Sequence, residues 1–337
     1  MSSKKYRDIN MAERLLTAFI AILLTIILTG CEKTAETTAD TNSQKLKIVA
    51  AIFPAYDWTR NILGENPAGM DLCLLLDNGV DLHSFQPSVD DILTISNADL
   101  FIYVGGESDQ WVSNALKQAK NPNIRILKML DAIGDAAKTE ETVEGMQHEE
   151  EEEEDVPDEH VWLSLRNAAV ITDAIAAQLS ALDEPNASFY AQNAQQYKQK
   201  LSALDEAYAN ALQNTAHKTL LFGDRFPFRY LVDDYGLNYY AAFSGCSAET
   251  EASFETISFL AQKTNELNLP AVLTIDGTEH KIAETIVKNT EFKTLPVLTL
   301  NSMQSVTAQE IRDGITYLSI MEENLQVLKQ ALGERKN

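Results

Sequence analysis

Residues 187–214 read ASFYAQNAQQYKQKLSALDEAYANALQN, an unbroken run of helix formers without glycine or proline. Their apolar side chains recur at helical spacing, and Asp183, Glu184 and Pro185 immediately before them are typical of a helix start. At a rise of about 1.5 Å per residue, such a helix would be about 40 Å long. The sequence therefore predicts one long, rigid connecting helix (183–216) between two halves of the chain.

On both sides of this helix, short apolar runs alternate with amphipathic ones, which predicts parallel sheets covered by helices. The predicted strands are Lys47–Phe53, Asp71–Leu76, Asp99–Val104, Ile124–Leu127, Thr219–Gly223, Leu237–Ala242, Ala271–Ile275 and Val297–Leu300. The predicted helices among them are Asp57–Leu63, Val89–Ser96, Trp111–Ala119, Phe228–Asp234, Phe254–Glu266, Lys281–Lys288 and Ala308–Leu332. The predicted fold class is α/β, with two Rossmann-like lobes (46–182 and 217–337) joined by the helix.

The overall charge restricts the classes of partner. The 337 residues include 27 basic and 50 acidic side chains, so the formal net charge is −23. Nucleic acid is excluded as a partner because its phosphates require a basic surface, whereas an acidic chain attracts cations. An enzyme is not predicted, since the sequence contains no Gly-x-Ser-x-Gly, His-Glu-x-x-His or phosphate-binding glycine loop. The enzymatic alternative, a metal-dependent hydrolase, lacks an evident general base.

The N-terminus has the features of an export signal. Basic residues precede the uncharged run Leu15–Thr29, which is shorter than the roughly 20 apolar residues of a membrane span. Leu28-Thr29-Gly30-Cys31 resembles the bacterial lipobox, in which the cysteine is acylated and becomes the first mature residue. The alternative is an ordinary anchor helix with a chance cysteine. We predict a signal peptide (1–30), a flexible tether (31–45) and an extracytoplasmic protein anchored to the cell membrane by lipid on Cys31.

Candidate ligands follow the predicted strands, at the sheet edge where open α/β sheets bind their ligands. His83 comes after the second predicted strand and His160 precedes the connecting helix, while Asp276 and His280 follow Ala271–Ile275. Imidazoles and carboxylates together suit a divalent metal ion better than a sugar or a peptide. A loop histidine is also common as a surface or core residue, so spacing alone is weak evidence.

Residues 140–159 break the globular pattern. They contain twelve carboxylates and His148 but no lysine or arginine. Like charges repel one another, so the block is expected to remain solvated. Two interpretations stay open: a surface loop without a role, or a loose cation-collecting loop that raises the local ion concentration without forming the tight site.

Two cysteines lie in the predicted lobes. Cys73 falls inside an apolar strand and is interpreted as a small core residue. Cys246 lies in the loop Gly245–Glu251 and could be a soft metal ligand. A bridge between the two cysteines would tie the lobes together, but spacing in the sequence does not decide it.

From about Leu46 onward, the chain resembles the zinc/manganese solute-binding lipoproteins of bacterial ABC importers. Gly79–Ser88 is similar to the family's Gly-x-Asp-x-His-x-(aromatic)-x-Pro segment, and Asp158–Ser164 to its Asp-x-His-x-Trp-x-(Ser/Asp) segment. The resemblance implies that His83 and His160 hold the ion in a cleft between the lobes. It further implies a monomer that delivers zinc or manganese, as transported ligand, to an ABC permease. Some relatives are labelled adhesins, so a surface adhesin is an alternative.

The C-terminal lobe departs from the family pattern. Arg225 stands where the family has a histidine or glutamate ligand, and Asn301 where it has the final aspartate. We favour Asp276 and His280 as substitute ligands. Alternatively, Arg225 pairs with a carboxylate such as Asp276 while the two histidines hold the ion, or the altered site takes a different ligand. Because only neutral imidazole ligates, metal affinity is expected to fall as the pH drops through about 6.5.

Replacing Cys31 with Ala should release the protein from membranes, because the lipid has no other predicted attachment residue. Membrane and soluble fractions of cells that express each variant would be compared by immunoblot. The matched control is Cys73→Ala, which should remain in the membrane fraction. A Cys31→Ala protein that is processed and retained like the wild type would contradict the lipoprotein prediction.

Overall fold

A computed structural model of the protein describes residues 45–147, 156–247 and 251–333. The predicted signal peptide, Cys31 and the segment 148–155 of the acidic block lie outside the described residues. Within the described ranges, no helix is both long and apolar enough to cross a bilayer.

The N-terminal lobe is built on a four-stranded sheet with the order β2-β1-β3-β4, in which all neighbouring strands are parallel. Its strands are β1 (Lys47–Ala50), β2 (Asp71–Leu74), β3 (Leu100–Tyr103) and β4 (Arg125–Lys128). Its helices are α1 (Phe53–Leu63), α2 (Val89–Ser96), α3 (Val112–Leu116) and α4 (Met129–Ile133). Parallel neighbours require crossover connections, and α1, α2 and α3 lie in the three connections between these strands.

The C-terminal lobe repeats the arrangement, with the parallel strand order β6-β5-β7-β8. Its strands are β5 (Thr219–Phe226), β6 (Asn238–Ser244), β7 (Val272–Ile275) and β8 (Val297–Leu300). Its helices are α7 (Arg229–Tyr235), α8 (Phe254–Glu266), α9 (Lys281–Asn289), α10 (Ala308–Arg312) and α11 (Tyr317–Leu332). In both lobes the second, first, third and fourth strands lie in that order across the sheet, so the carboxyl ends of each sheet form one edge.

Two long helices connect the sheets: α5 (Leu165–Leu182) and α6 (Ala187–Gln213). Helix α6 packs against α1 and α5 in the first half of the chain and against α7 and α11 in the second. The side-chain amide of Asn193 donates to the Ile62 carbonyl at 2.9 Å, and the Tyr208 hydroxyl donates to the Met321 carbonyl at 2.6 Å. The predicted α/β fold with one long connecting helix is confirmed.

Several elements differ from the sequence-based expectation. Helix α5 was not expected, although its buried residues Ile171, Ile175 and Leu179 recur at helical spacing. The single helix expected over Ala308–Leu332 is divided into α10 and α11, because Gly314 adopts a positive φ of 98° and a capping box begins the second helix.

The interpretation of Cys73 as a core residue is wrong. Its side chain is exposed, because β2 is the edge strand of the first sheet. Cys246 is partly buried, and both thiols are free, so the bridge between them is absent.

Replacing Leu201 with Ala should lower the free energy of unfolding by about 2–5 kcal/mol, because the fully buried side chain on α6 would leave a cavity between the helices. Gln199→Ala, at an exposed position two residues away, is the matched control and should change the free energy little. Urea unfolding of the two variants measures the difference. Equal midpoints would contradict a stabilising role for the buried face of α6.

Candidate metal centre

His83 is presented by a short 3₁₀ turn, Leu82–Ser84, that follows the end of β2. Asp81 caps this turn, because its Oδ1 accepts the backbone N–H of His83 at 2.9 Å. The imidazole Nδ1 lies 2.7 Å from the Ser108 hydroxyl oxygen, in the segment after β3. The turn and the hydroxyl together orient the ring so that Nε2 is left for another partner.

His160 lies at the start of a second 3₁₀ turn, Val161–Leu163, and its side chain is completely buried. Asp158 Oδ1 accepts the backbone N–H of His160 at 2.8 Å and lies 2.9 Å from its Nδ1. The indole N–H of Trp162 donates to the Ser302 carbonyl at 2.8 Å, which attaches the turn to the C-terminal lobe. As at His83, only Nε2 is left unengaged by the surrounding oxygen atoms.

The two Nε2 atoms of His83 and His160 lie 3.0 Å apart. Two imidazoles bound to one tetrahedral zinc ion, at Zn–N distances of about 2.0–2.1 Å, have their nitrogens about 3.3 Å apart. In metal sites, the second nitrogen of a ligating histidine usually bonds to a carboxylate or another oxygen, which fixes the ring. The histidine pair therefore fits two ligands of a single ion.

Burial controls the charge of the pair. Burial, together with the neighbouring His160 ring, lowers the pKa of His83 from 6.5 to about 4. Burial also lowers the pKa of His160. His83 is therefore neutral at pH 6.5, as a metal ligand must be, and burial favours the neutral form of His160 as well. Protons therefore compete with a metal for His83 at a lower pH than the expected 6.5, and the fall of metal affinity with pH stays a prediction.

Further metal-ligating groups lie beside the pair. Among the described residues, one group whose candidate ligand atoms all lie within 4.8 Å of one another contains His83, His160 and Cys246. A second contains Glu140, Asp158 and His160. Burial raises the pKa of Glu140 and raises the pKa of Asp158 to about 7. A divalent cation would compensate these buried carboxylates, so the surroundings also favour a positive ion.

Arg225 lies at the end of β5 and pairs across the cleft with Asp81, whose Oδ2 is 2.6 Å from its Nη2. Arg225 thus pairs with a carboxylate, as one alternative expected, but that carboxylate is Asp81 and not Asp276. Burial alone would raise the pKa of Asp81, but the Arg225 guanidinium lowers it below the ordinary value. The fixed positive charge thus faces a carboxylate that remains ionised, beside the turn that carries His83.

Asp276 and His280 are not brought into either ligand group. Asp276 accepts hydrogen bonds from the hydroxyls of Ser302, at 2.7 Å, and Ser305. His280 begins α9 and lines the same cleft as His83, a cavity of 540 Å³. Asn301, at the position of the family's final aspartate, accepts the backbone N–H of Met303 with its side-chain oxygen. The ligand roles of Asp276 and His280 stay predictions, which this arrangement does not favour.

The ends of the acidic block belong to the site. Glu140 lies against the cluster, Asp158 and Glu159 are almost completely buried, and Thr139 pairs with Pro157 in an antiparallel bridge. The expectation that the whole of 140–159 is solvated is therefore wrong at both ends. Charge counting missed this because it treats every carboxylate in a run alike.

Ser108 and Glu140 were not singled out from the sequence. The available signal for Ser108 was the Gly105-Gly106 pair after β3. A Cβ atom at Gly106 would lie only 2.1 Å from Glu159 Oε1, and that oxygen accepts the backbone N–H of Ser108 at 2.8 Å. The glycine thus lets Glu159 pack behind the Ser108 turn that holds His83.

The sequence profile of ZnuA, the periplasmic component A of a zinc-uptake complex, matches residues 48–331. The chain belongs to the ZnuA family. Members of this family are metal-binding solute-binding proteins and are not enzymes.

Individual ZnuA-family relatives support the assignment. The chain is 29% identical over 318 residues to the zinc-binding lipoprotein AdcA of Streptococcus pneumoniae, covering 94% of this chain and 60% of that protein. The chain thus spans less than two thirds of AdcA. It is 28% identical over 315 residues to the high-affinity zinc uptake system protein ZnuA of Bacillus subtilis, covering 93% and 96% of the two chains.

A solved ZnuA-like structure has the same fold. It is the Zn(II)-bound ZnuA-like domain of Streptococcus pneumoniae AdcA, which is 28% identical to this chain with a TM-score of 0.68. The match covers 86% of this chain and 99% of that domain. The two-lobed architecture is therefore the family fold.

The metal-free protein should lose stability as the pH falls from 6.5 to 4, and His83→Gln should reduce that loss. The folded pKa of His83, about 4, lies below the unfolded value of 6.5, so between these values the unfolded chain binds the additional proton. The contribution of His83 reaches about 3 kcal/mol at the acid end of this range. Other titrating groups are common to both proteins.

Urea unfolding at pH 7 and pH 4.5, with a chelator present, measures the effect. The difference in unfolding free energy between the two pH values should be smaller for His83→Gln than for the wild type. Equal differences would show that His83 is not held neutral by burial.

Proposed function

We propose that this protein captures zinc outside the cytoplasmic membrane and delivers it to an ABC permease. The observation that carries the proposal is the pair of Nε2 atoms 3.0 Å apart, with both Nδ1 atoms held by oxygen partners. Without an ion, one Nε2 donates to the other, whereas a divalent ion would engage both nitrogens at once. The lipid anchor on Cys31 would keep the receptor beside its permease.

Zinc is favoured over manganese by the type of ligand. Neutral imidazole suits zinc, whereas manganese is better matched by carboxylate, carbonyl and water oxygens. The relatives AdcA and ZnuA are named as a zinc-binding lipoprotein and a zinc uptake system protein, which supports the same choice. His83 and His160 are therefore proposed as the two nitrogen ligands of a transported zinc ion.

The cleft provides a route by which the ion enters and leaves. His83 lines this cavity together with Asp81 and Arg225 from opposite sides, and the completely buried His160 contacts His83 through Nε2. A transport receptor needs such access, because it must release its ion to the permease. The functional unit is proposed to be a monomer, since both histidines come from one chain. The adhesin alternative stays a prediction.

Replacing either His83 or His160 with Ala should abolish tight zinc binding, because a single imidazole leaves most of the coordination shell to water. Asp276→Ala and His280→Ala should retain most of the affinity, since neither side chain belongs to the ligand groups. Isothermal calorimetry on the four variants measures this, with His217→Ala as the histidine control outside the groups.

Thermal unfolding provides an independent check. Zinc at 100 times its dissociation constant should stabilise the wild type by about 2.7 kcal/mol, and should not stabilise His83→Ala or His160→Ala comparably. Tight, stoichiometric binding by either variant would remove the histidine pair from the site. A deletion strain that grows normally under zinc chelation would argue against the importer role.

A further inference from the structure

We propose that Cys246, whose thiol releases its proton to solvent as the ion binds, is the third protein ligand of the ion and makes the site selective for zinc. The inference rests on the proposed function, because it assigns a ligand to the same transported ion. Cys246 takes the place of the C-terminal-lobe ligands that the sequence lacks at Arg225 and Asn301. The ion would thus be held by two imidazoles from one lobe and one sulfur from the other.

The distances place the sulfur within reach of the pair. The ligand atoms of His83, His160 and Cys246 all lie within 4.8 Å of one another. On a tetrahedral zinc ion, with Zn–S of about 2.3 Å and Zn–N of about 2.0–2.1 Å, sulfur and nitrogen ligands lie about 3.6 Å apart. The spacing of the three ligand atoms is therefore within about 1.2 Å of that of three tetrahedral positions, and water can occupy the fourth.

The backbone before Cys246 packs closely against the His160 ring. Strand β6 ends at Ser244, and a Cβ atom on the next residue, Gly245, would lie 2.9 Å from His160 Cε1 and 2.9 Å from the Phe226 carbonyl oxygen. Only glycine allows this approach. The strand end is therefore packed onto the imidazole, and the following side chain, Cys246, enters the cleft that His83 also lines.

A buried carboxylate lies beside Cys246. Glu140 Oε2 accepts the backbone N–H of Gly245, the residue before Cys246, at 3.2 Å. Its other carboxylate oxygen, Oε1, is buried and has no hydrogen-bond partner in the described structure. A cation at the histidine pair would compensate this carboxylate as well as the thiolate, so the surroundings of Cys246 are arranged for a positive ion.

Arg225 cannot be a metal ligand. The C-terminal lobe must therefore supply its ligand from another residue. The Arg225 guanidinium has no lone pair for a metal and is already paired with Asp81. Cys246 is the residue of that lobe that joins the described ligand groups. A soft thiolate strengthens the preference for zinc over manganese beyond that of the two imidazoles alone.

The test uses a full-length chain in which Cys246 is the only thiol. The sequence has three cysteines, so Cys31→Ala together with Cys73→Ser leaves Cys246 alone. Cobalt(II) is the probe, added under reducing, oxygen-free conditions. The chain should show the near-ultraviolet thiolate-to-cobalt charge-transfer band at one ion per protein, and adding Cys246→Ser should remove it.

Zinc affinity is the second readout. Cys246→Ser should lower the zinc affinity on the order of 10- to 100-fold, which is comparable with the loss when other partners in metal sites are removed. The same variant should lower the manganese affinity less. Stoichiometric cobalt binding without the band, or unchanged zinc affinity in Cys246→Ser, would overturn the inference and leave the proposed function intact. A single-thiol chain and a wild type that both fail to bind zinc or cobalt would instead overturn the proposed function.

Discussion

Two buried, neutral imidazoles facing each other through Nε2 are the constraint on which this structure depends. In a closed site, the uncharged His83 and His160 rings keep their orientation only if each Nδ1 atom has a hydrogen-bond partner. The two partners come from different parts of the chain. Ser108 comes from the segment after β3, whereas Asp158 precedes His160 by two residues. The same burial that lowers the pKa of both rings also keeps them ready for a cation without first losing a proton.

The two lobes are tied together through the turn that carries His160. Trp162 donates to the Ser302 carbonyl, and the Tyr317 hydroxyl donates to the Trp162 carbonyl at 2.7 Å. Asp276, expected to be a ligand, instead binds the Ser302 hydroxyl and backbone N–H. It fixes the residue to which the Trp162 turn is attached.

The ion pair between Arg225 and Asp81 shows how a changed residue alters the role of its neighbours. An arginine at a family ligand position would introduce an unpaired positive charge next to the proposed cation site. Asp81 neutralises it at 2.6 Å while also capping the turn that presents His83. Because Arg225 is not a ligand, any ligand from the C-terminal lobe must be another residue. Cys246 lies just after the end of β6, the strand that pairs with β5.

The sequence by itself determined the alternating strands and helices and the long connecting helix, because each depends on local spacing. It proposed His83 and His160 as ligands only through two motifs that resemble those of a known family. The residues in α6 repeat with the helical period, and the motifs around His83 and His160 are short and continuous. Only the tertiary structure decided that Ser108 and Glu140 lie at the site, that Asp81 pairs with Arg225 and that Asp276 binds serine. The contacts of Ser108 with His83, of Asp276 with Ser302 and of Asp81 with Arg225 join residues 25, 26 and 144 positions apart, and a pattern read along the chain does not contain their distances.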